Sequence, residues 1–235
     1  MSSTELNGKR ALVTGGGRGI GRAIAIALAA AGAQVGLMAR TQSQLEGVAG
    51  EISALGAQAS VFPADIGRED QVRDAIDAFL TRFDGIDILV NNAAITGPIG
   101  PTHELDGGAW EQTIRVNLLG CFECTRCVLP EMIEQRSGKI INLSGGGAVG
   151  ARPCFGAYSA SKAGVVRLTE TVAAEVAEYG VDVNAIAPGA VNTAMLDEVI
   201  EAGAAAGPEA DGARRQKQEG GADPARAAAL VLFLA

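Results

Sequence analysis

The stretch TGGGRGIG, residues 14–21, follows the short apolar run 11–13 and precedes a helical pattern of apolar residues. Glycine loses more conformational freedom on folding than any other residue, so a cluster at a strand end needs a compensating reason. At a strand–helix junction, glycines let a ligand approach the first free N–H groups of the helix, where the helix dipole favours an anion. The spacing T-G-x-x-x-G-x-G in this context predicts a pyrophosphate site of a dinucleotide, formed by Gly15, Arg18, Gly19, Ile20 and Gly21.

The remainder of the chain alternates short strand-like runs with longer helical patterns. The pattern predicts strands over 10–13, 34–39, 57–62, 86–90, 139–143 and 181–186, and helices over 20–31, 42–55, 69–82, 110–134, 157–179 and 225–234. This order is typical of a parallel sheet covered by helices on both faces. We therefore expect an α/β, Rossmann-type doubly wound fold in a single domain, residues 1–235. Segment 201–223 is rich in Ala, Gly and charge, which predicts a loop, and we expect a mobile substrate lid at about 194–222.

Composition narrows the classes of function. The chain has 235 residues and a formal net charge of −8, with no basic excess of the kind that duplex binding needs, so we expect no nucleic-acid partner. No apolar run approaches the roughly 20 residues that cross a bilayer, and the polar first ten residues lack a secretory signal. The sequence thus favours a cytoplasmic protein without a membrane partner.

Three of the four cysteines, Cys121, Cys124 and Cys127, form a C-x2-C-x2-C pattern. That spacing is compatible with an iron–sulfur or zinc cluster, but the segment reads as one helix and no fourth ligand follows at ferredoxin spacing. Cysteine is also a common small buried residue, so we expect packing on one helix face and no metal.

The end of the second predicted strand indicates which dinucleotide is bound. An acidic residue there holds the ribose 2′-OH of NAD, whereas an arginine accommodates the 2′-phosphate of NADP. The stretch LMART, residues 37–41, has no carboxylate and offers Arg40, while Arg18 adds a second guanidinium able to pair with phosphate. We expect NADP(H) in preference to NAD(H). The alternatives are NAD(H) as the coenzyme and Arg40 as a solvated surface charge.

A second motif, YSASK at residues 158–162, opens a long predicted helix. Its spacing places Tyr158 and Lys162 on one helix face. A free tyrosine has a pKa of roughly 10, and a nearby ammonium favours the phenolate and lowers that pKa. A tyrosine tuned in this way donates a proton to an alkoxide as hydride arrives, or takes one in reverse. The alternative interpretation is a surface pair with no role.

Six motifs, taken in order, resemble those of the short-chain dehydrogenases/reductases over nearly the whole chain, from about residue 8 to 235. They are the glycine motif, Asn91-Asn92-Ala93-Ala94, Asn117, the strand end at Ser144, Tyr158-x-x-x-Lys162 and Pro188-Gly189.

The resemblance implies an oxidoreductase that transfers a hydride between a nicotinamide coenzyme and a secondary alcohol or ketone. Tyr158 would be the general acid/base, and Lys162 would lower its pKa and bind the nicotinamide ribose. Ser144 would hydrogen-bond the substrate oxygen, and Asn117 would hold a proton-relay water. The coenzyme would further contact Asp65 and Asn91 beside its adenosine half, Thr193 at its carboxamide, and Ala93, Pro188, Gly189 and Val191. The resemblance also implies a homo-oligomer, either a dimer or a tetramer.

Two features depart from the family pattern. The usual serine lies thirteen residues before the tyrosine, where this chain has Gly145, and Ser144 lies fourteen before it. We expect the run of glycines at 145–147 to bulge and return Ser144 to the site. Family members also continue to a seventh strand, so the chain is either truncated or its sheet lacks the last edge strand.

Two classes of function stay open at this point: an NADP(H)-dependent oxidoreductase, and a non-catalytic coenzyme-binding sensor or structural homologue. Within the enzyme class, 3-oxoacyl thioester, sugar, steroid, aromatic diol and small-ketone substrates are all compatible. Ile95, Phe155, Met195 and Leu196 lie on the predicted substrate loops and suggest a partly apolar pocket.

Overall fold

A computed structural model describes residues 5–189 and 191–235. Within them, six parallel strands form one sheet in the order β3-β2-β1-β4-β5-β6. The strands are β1 (Arg10–Thr14), β2 (Gln34–Ala39), β3 (Ala59–Pro63), β4 (Ile88–Asn91), β5 (Gly138–Leu143) and β6 (Val181–Ile186). The strands β2 and β3 lie in succession on one side of β1. The chain then crosses over, and β4, β5 and β6 lie in succession on the other side. This reversal leaves a crevice at the carboxyl ends of β1 and β4, where ligands bind in folds of this type.

Helices cover both faces of the sheet. They are α1 (Gly19–Ala30), α2 (Gln42–Ala54), α3 (Glu69–Phe83), α4 (Gly107–Ile114), α5 (Gly120–Gln135), α6 (Gly156–Val176), α7 (Ala194–Ala202), α8 (Glu209–Gln218) and α9 (Pro224–Leu234). The predicted doubly wound α/β fold is therefore confirmed. None of the helices in the described ranges is long and apolar enough to cross a bilayer.

Two apolar cores lie on opposite faces of the sheet, because neighbouring residues of a strand point in opposite directions. Along β1, Val13 packs with α1, α2 and α9, whereas Leu12 packs with α3, α5 and α6. Buried on both faces, the strands are almost continuously apolar, as parallel sheets require. The two cores fix the ends of β1, β4 and β5 relative to α1 and α6.

The helical path through residues 107–135 is interrupted by a π-helical turn, Arg115–Leu119. The sequence predicts one uniform helix over 110–134. The spacing of its apolar residues gives no sign of the extra residue in this turn. π-turns within helices are frequent at functional sites. This one contains Asn117, whose side chain is directed at the loop after β4.

The prediction of a loop over 201–223 is wrong. The segment contains the end of α7, a 3-10 turn over Gly203–Ala206 and α8. Its alanines supply helix propensity, and Ala206, Ala210 and Ala213 are buried against Phe155 and Tyr158. Small side chains allow these helices to lie close to the aromatic rings, which composition alone does not indicate.

Candidate active site

The glycine turn leaves the amino end of α1 open. Arg18 precedes the helix in an extended conformation and makes no side-chain cap, so the first N–H groups have no partner from it. A Cβ on Gly21 would collide with the carbonyl oxygen of Gly15, and Gly15 itself has a φ of 65°, in the left-handed region. The turn thus needs glycine for close backbone packing, and it presents donors that suit an anion.

Two side chains outside the predicted set of site residues hold this turn in place. Thr14 is fully buried, and its Oγ1 accepts hydrogen bonds from the N–H groups of Asn92 (3.0 Å) and Ala93 (3.1 Å). Asn92 Nδ2 donates to the carbonyl oxygens of Thr14 (2.9 Å) and Gly15 (3.3 Å). Both residues belong to quoted motifs, so their positions, though not their roles, were visible in the sequence.

Asn91 does not extend its side chain along the cleft, which corrects the expected contact with the adenosine half. Its Nδ2 donates to Thr125 Oγ1 (3.1 Å) and to Asn142 Oδ1 (2.9 Å) inside the core. Asn91 is the last residue of β4, and the alternation of strand side chains sends it to the face covered by α5 and α6. Asn92 lines the cleft instead.

The cleft has a volume of about 580 Å³ and runs from the glycine turn to the start of α6. Most of the predicted coenzyme-binding residues line it: Gly15, Arg18, Gly19, Ile20, Gly21, Arg40, Asp65, Ala93, Lys162, Pro188 and Thr193. Gly189 and Val191 are not part of its wall as the described residues define it. The exposed Arg18 and Arg40 form no ion pair with other described side chains, so their charge is available to a ligand in the cleft.

Tyr158 and Lys162 lie one turn apart on α6, both buried and both in the cleft wall. Lys162 Nζ donates to the carbonyl oxygen of Leu143 (2.7 Å) and lies 5.8 Å from the centroid of the Tyr158 ring. Burial lowers the pKa of Lys162 to about 8.

Burial also raises the pKa of Tyr158, and the nearby Arg152 opposes that rise. This direction is opposite to the lowering expected from Lys162, because desolvation disfavours the phenolate as it disfavours the ammonium.

Ser144 lies at the carboxyl end of β5, beside Tyr158 in the same wall. Its N–H donates to the carbonyl oxygen of Ile186 (2.8 Å), which extends the β5–β6 ladder. Its Oγ is buried and has no hydrogen-bond partner among the described residues. An unpaired buried hydroxyl costs stability, so this one is able to form a hydrogen bond with a group in the cleft.

Asn117 fixes the loop that follows β4. Its Oδ1 accepts from the N–H of Ile95 (2.8 Å), and its Nδ2 donates to the carbonyl oxygen of Ile95 (2.9 Å) and to Ser161 Oγ (3.0 Å). Asn117 thereby ties the π-turn, the loop and α6 together, while its own side chain lies outside the cleft wall.

The family model described as short chain dehydrogenase matches residues 9–203. The chain belongs to the short-chain dehydrogenase family. A curated 3-oxoacyl-(acyl-carrier-protein) reductase of Synechocystis is 41% identical over 198 residues, which cover 83% of this chain and 79% of the relative. As a short-chain dehydrogenase, the protein is an oxidoreductase.

Two solved crystal structures are similar to this chain over nearly its whole length. That of NAD+-bound xylitol dehydrogenase matches with a TM-score of 0.91 at 29% identity, over 98% of this chain and 93% of that one. That of a metagenomic short-chain oxidoreductase in complex with NADP matches with a TM-score of 0.82 at 31% identity, over 99% and 91% of the two chains.

The cysteine motif of this short-chain dehydrogenase lies on α5. Cys121 and Cys124 are buried, and Cys124 and Cys127 contribute to the core between α5 and the sheet. Burial raises the pKa of Cys121 to about 12 and that of Cys124 well above its ordinary value, so these thiols stay protonated. Across residues 5–189 and 191–235, no group of three or more His, Cys, Asp or Glu side chains is arranged to hold a metal ion.

Proposed function

We propose that this short-chain dehydrogenase transfers a hydride between NADP(H) and a ketone or secondary alcohol, with Tyr158 as the general acid/base. One observation carries the proposal. The open amino end of α1 and the buried Tyr158–Lys162 pair line a single cleft. An anion site and a proton donor thus share one cavity, as a nicotinamide reaction requires.

The residues of the cleft fit a phosphorylated dinucleotide. The helix amino end and Arg18 suit the pyrophosphate, and Arg40, at the end of β2 where no carboxylate competes, suits a 2′-phosphate. Asp65 and Thr193 also line the cleft and suit the adenosine and carboxamide portions. When bound, the coenzyme supplies or accepts the hydride.

The protein's own residues manage the proton. Burial raises the pKa of Tyr158, so at neutral pH the phenol carries the proton that it would donate to the substrate oxygen in the reducing direction. Ser144 Oγ supplies the hydrogen bond that orients that oxygen. Lys162, held by Leu143, suits the nicotinamide ribose, and Asn117 holds the loop at Ile95 in place.

An apolar cluster adjoins the cleft at Tyr158, although Phe155, Val199 and Leu196 do not themselves line it. Phe155 and Tyr158 pack with Val199 of α7, and Met195 and Leu196 lie partly buried beside them. Since the curated relative is named a 3-oxoacyl-(acyl-carrier-protein) reductase, we propose a 3-oxoacyl thioester as the first substrate class to test. Simple ketones, sugars, steroids and aromatic diols are the substrate classes to test next.

We also expect a homo-oligomer. The large apolar side chains of Leu119 and Phe122, near the start of α5, are exposed, as is Phe233 on α9. Light scattering of the purified chain gives the assembly state, and a monomer at micromolar concentration contradicts this expectation.

The activity test measures coenzyme oxidation with NADPH and NADH on a panel that includes 3-oxoacyl thioesters, for the parent protein and for Tyr158→Phe. We expect turnover with NADPH and a loss of at least about a hundredfold in the variant, because the proton donor is gone. Unchanged turnover in Tyr158→Phe overturns the role of the tyrosine. Tight NADPH binding without turnover on any member of the panel supports the non-catalytic alternative.

A further inference from the structure

A cation that belongs to none of the motifs lies beside Tyr158. Arg152, in the loop between β5 and α6, has its Cζ 3.9 Å from the ring centroid of Phe155 and 5.3 Å from that of Tyr158. Guanidinium groups within about 6 Å of a ring face are attracted by its negative face. Arg152 is thus packed against both rings rather than extended into solvent.

The side chain is fixed from its other side by α8. Arg152 Nε donates to both carboxylate oxygens of Glu209 (2.8 Å each), and its Nη2 donates to Oε2 (2.6 Å). The exposed fraction is 20% for the Arg152 side chain and 33% for that of Glu209. Such a forked ion pair holds the guanidinium plane in one orientation, which a lysine ammonium cannot reproduce.

Gly147 leaves room for this arrangement, whereas Gly146 is not required for it. A Cβ on Gly146 would touch the Arg152 side chain at 3.9 Å, whereas one on Gly147 would lie 3.1 Å from Arg152 Cβ and collide with Ser159 Oγ. Gly147 also has a φ of 87°, at the third position of a turn closed by the hydrogen bond from Ala148 N–H to Gly145 C=O (3.2 Å). The turn therefore passes beneath the guanidinium without side chains of its own.

Few charged groups of the described chain face Tyr158. From its own helix there is Lys162, whose pKa is about 8, so its side chain loses its positive charge above that pH. From the preceding loop there is the guanidinium group of Arg152. The helices packed on the ring contribute Val199, Ala206, Ala210 and Ala213, which are apolar, and Glu209, whose carboxylate is paired with Arg152.

We propose that Arg152 is a positioning residue for Tyr158, and that Glu209 at the start of α8 fixes its guanidinium against the phenol ring. This inference rests on the proposed function, since it makes Tyr158 the proton-transfer group. As the tyrosine O–H bond breaks and its proton passes to the substrate oxygen, negative charge develops on the phenol, and the fixed guanidinium stabilises it. The pair also links α8, on the substrate side, to the acid.

The test titrates Tyr158 directly. Tyr158 and Tyr179 are the only two tyrosines, so Tyr179→Phe protein labelled with fluorotyrosine gives one fluorine NMR signal, and fluorine lowers the phenol pKa into an accessible range. Arg152→Gln keeps N–H donors toward Glu209 but removes the charge. We expect it to shift the titration upward by about half a unit to one unit, and Arg152→Lys to shift it less.

Arg214→Gln is the matched control, because Arg214 forms an exposed pair with Asp211 on the same helix, α8. It should leave the titration in place. If Arg152→Gln, verified as folded by its thermal transition, titrates as the control does, the inference fails. If Arg152→Gln does not fold, Arg152→Lys decides: a titration unchanged in both position and signal width overturns the requirement for a fixed guanidinium.

Kinetics supply a second readout. Arg152→Gln should lower kcat for ketone reduction by about fivefold to tenfold and leave the KM for coenzyme unchanged, because a weaker acid slows proton transfer without altering coenzyme contacts. A change in coenzyme KM alone contradicts the proposal. The titration needs no substrate, so a failure of the proposed function appears in the ketone panel and a failure of this inference appears in the titration.

Discussion

The Cβ that Gly145 lacks would lie 2.5 Å from the phenol oxygen of Tyr158. Real side chains do not tolerate such a contact, so any larger residue at 145 displaces either the turn or the phenol. The phenol is the group that the proposed reaction must hold in place, because small misplacements of reacting groups are costly. The absence of a side chain at 145 is therefore a requirement of the site in this backbone.

Gly145→Ala is expected to lower kcat by about tenfold to a hundredfold, because the phenol moves away from the substrate oxygen. Gly146→Ala is the matched control, since its new Cβ would make only an ordinary 3.9 Å contact with Arg152 and neither residue has a positive φ. Coenzyme oxidation rates, with thermal unfolding to verify the fold, test the pair. Equal losses in the two variants contradict the steric explanation.

Arg40→Leu is expected to raise the KM for NADPH by about tenfold to a hundredfold and to leave the KM for NADH nearly unchanged. A hydrogen bond to a charged group is worth about 1.5–3 kcal/mol, and only NADPH carries the 2′-phosphate. Steady-state kinetics with both coenzymes measure the ratio. Arg68→Leu, which removes an exposed arginine paired with Asp70, serves as the control, and a loss shared equally by both coenzymes removes Arg40 from the selectivity site.

The stability of the coenzyme-free protein should depend on pH through Lys162. Its pKa is lowered from 10.5 to about 8 by burial. Below pH 8 it is protonated in both the folded and the unfolded states, so the free energy of unfolding is lowered by the full cost of burying the charge. Between 8 and 10.5 the folded protein has lost a proton that the unfolded chain still binds, so the free energy of unfolding rises with pH.

Lys162→Met should remove this rise. The parent is expected to gain about 3 kcal/mol relative to the variant across that window. Urea denaturation at a series of pH values measures the difference. A constant difference between the two proteins indicates that Lys162 keeps its ordinary pKa in the folded state.

Asn117→Ala is expected to cost about 2–3 kcal/mol of stability, because it leaves the N–H and C=O groups of Ile95 without partners. Ser161→Ala, which removes one neighbouring hydroxyl, should cost about 1 kcal/mol. Chemical denaturation of the two variants gives both values. A smaller loss in Asn117→Ala than in Ser161→Ala shows that the loop at Ile95 does not depend on this asparagine.

The sequence predicted the order of strands and helices and the family, because hydrophobic periodicity and the glycine turn are local features. It missed α7 and α8, which pack on Phe155 and Tyr158 through Val199, Ala210 and Ala213. It also missed the π-turn at Asn117, since one extra residue in a helix leaves the apolar pattern nearly unchanged.

By itself, then, the sequence determined the parallel sheet, the turn at residues 14–21 and the one-turn spacing of Tyr158 and Lys162, all of which depend on residues close together in the chain. Only the tertiary structure decided which of Asn91 and Asn92 lines the cleft, because that depends on which face of the sheet each residue of β4 points to. Only it decided the directions in which the pKa values of Tyr158 and Lys162 move, because burial sets the cost of their charges. The pairing of Arg152 with Glu209 joins residues 57 positions apart, and it exists only because α8 packs against the start of α6.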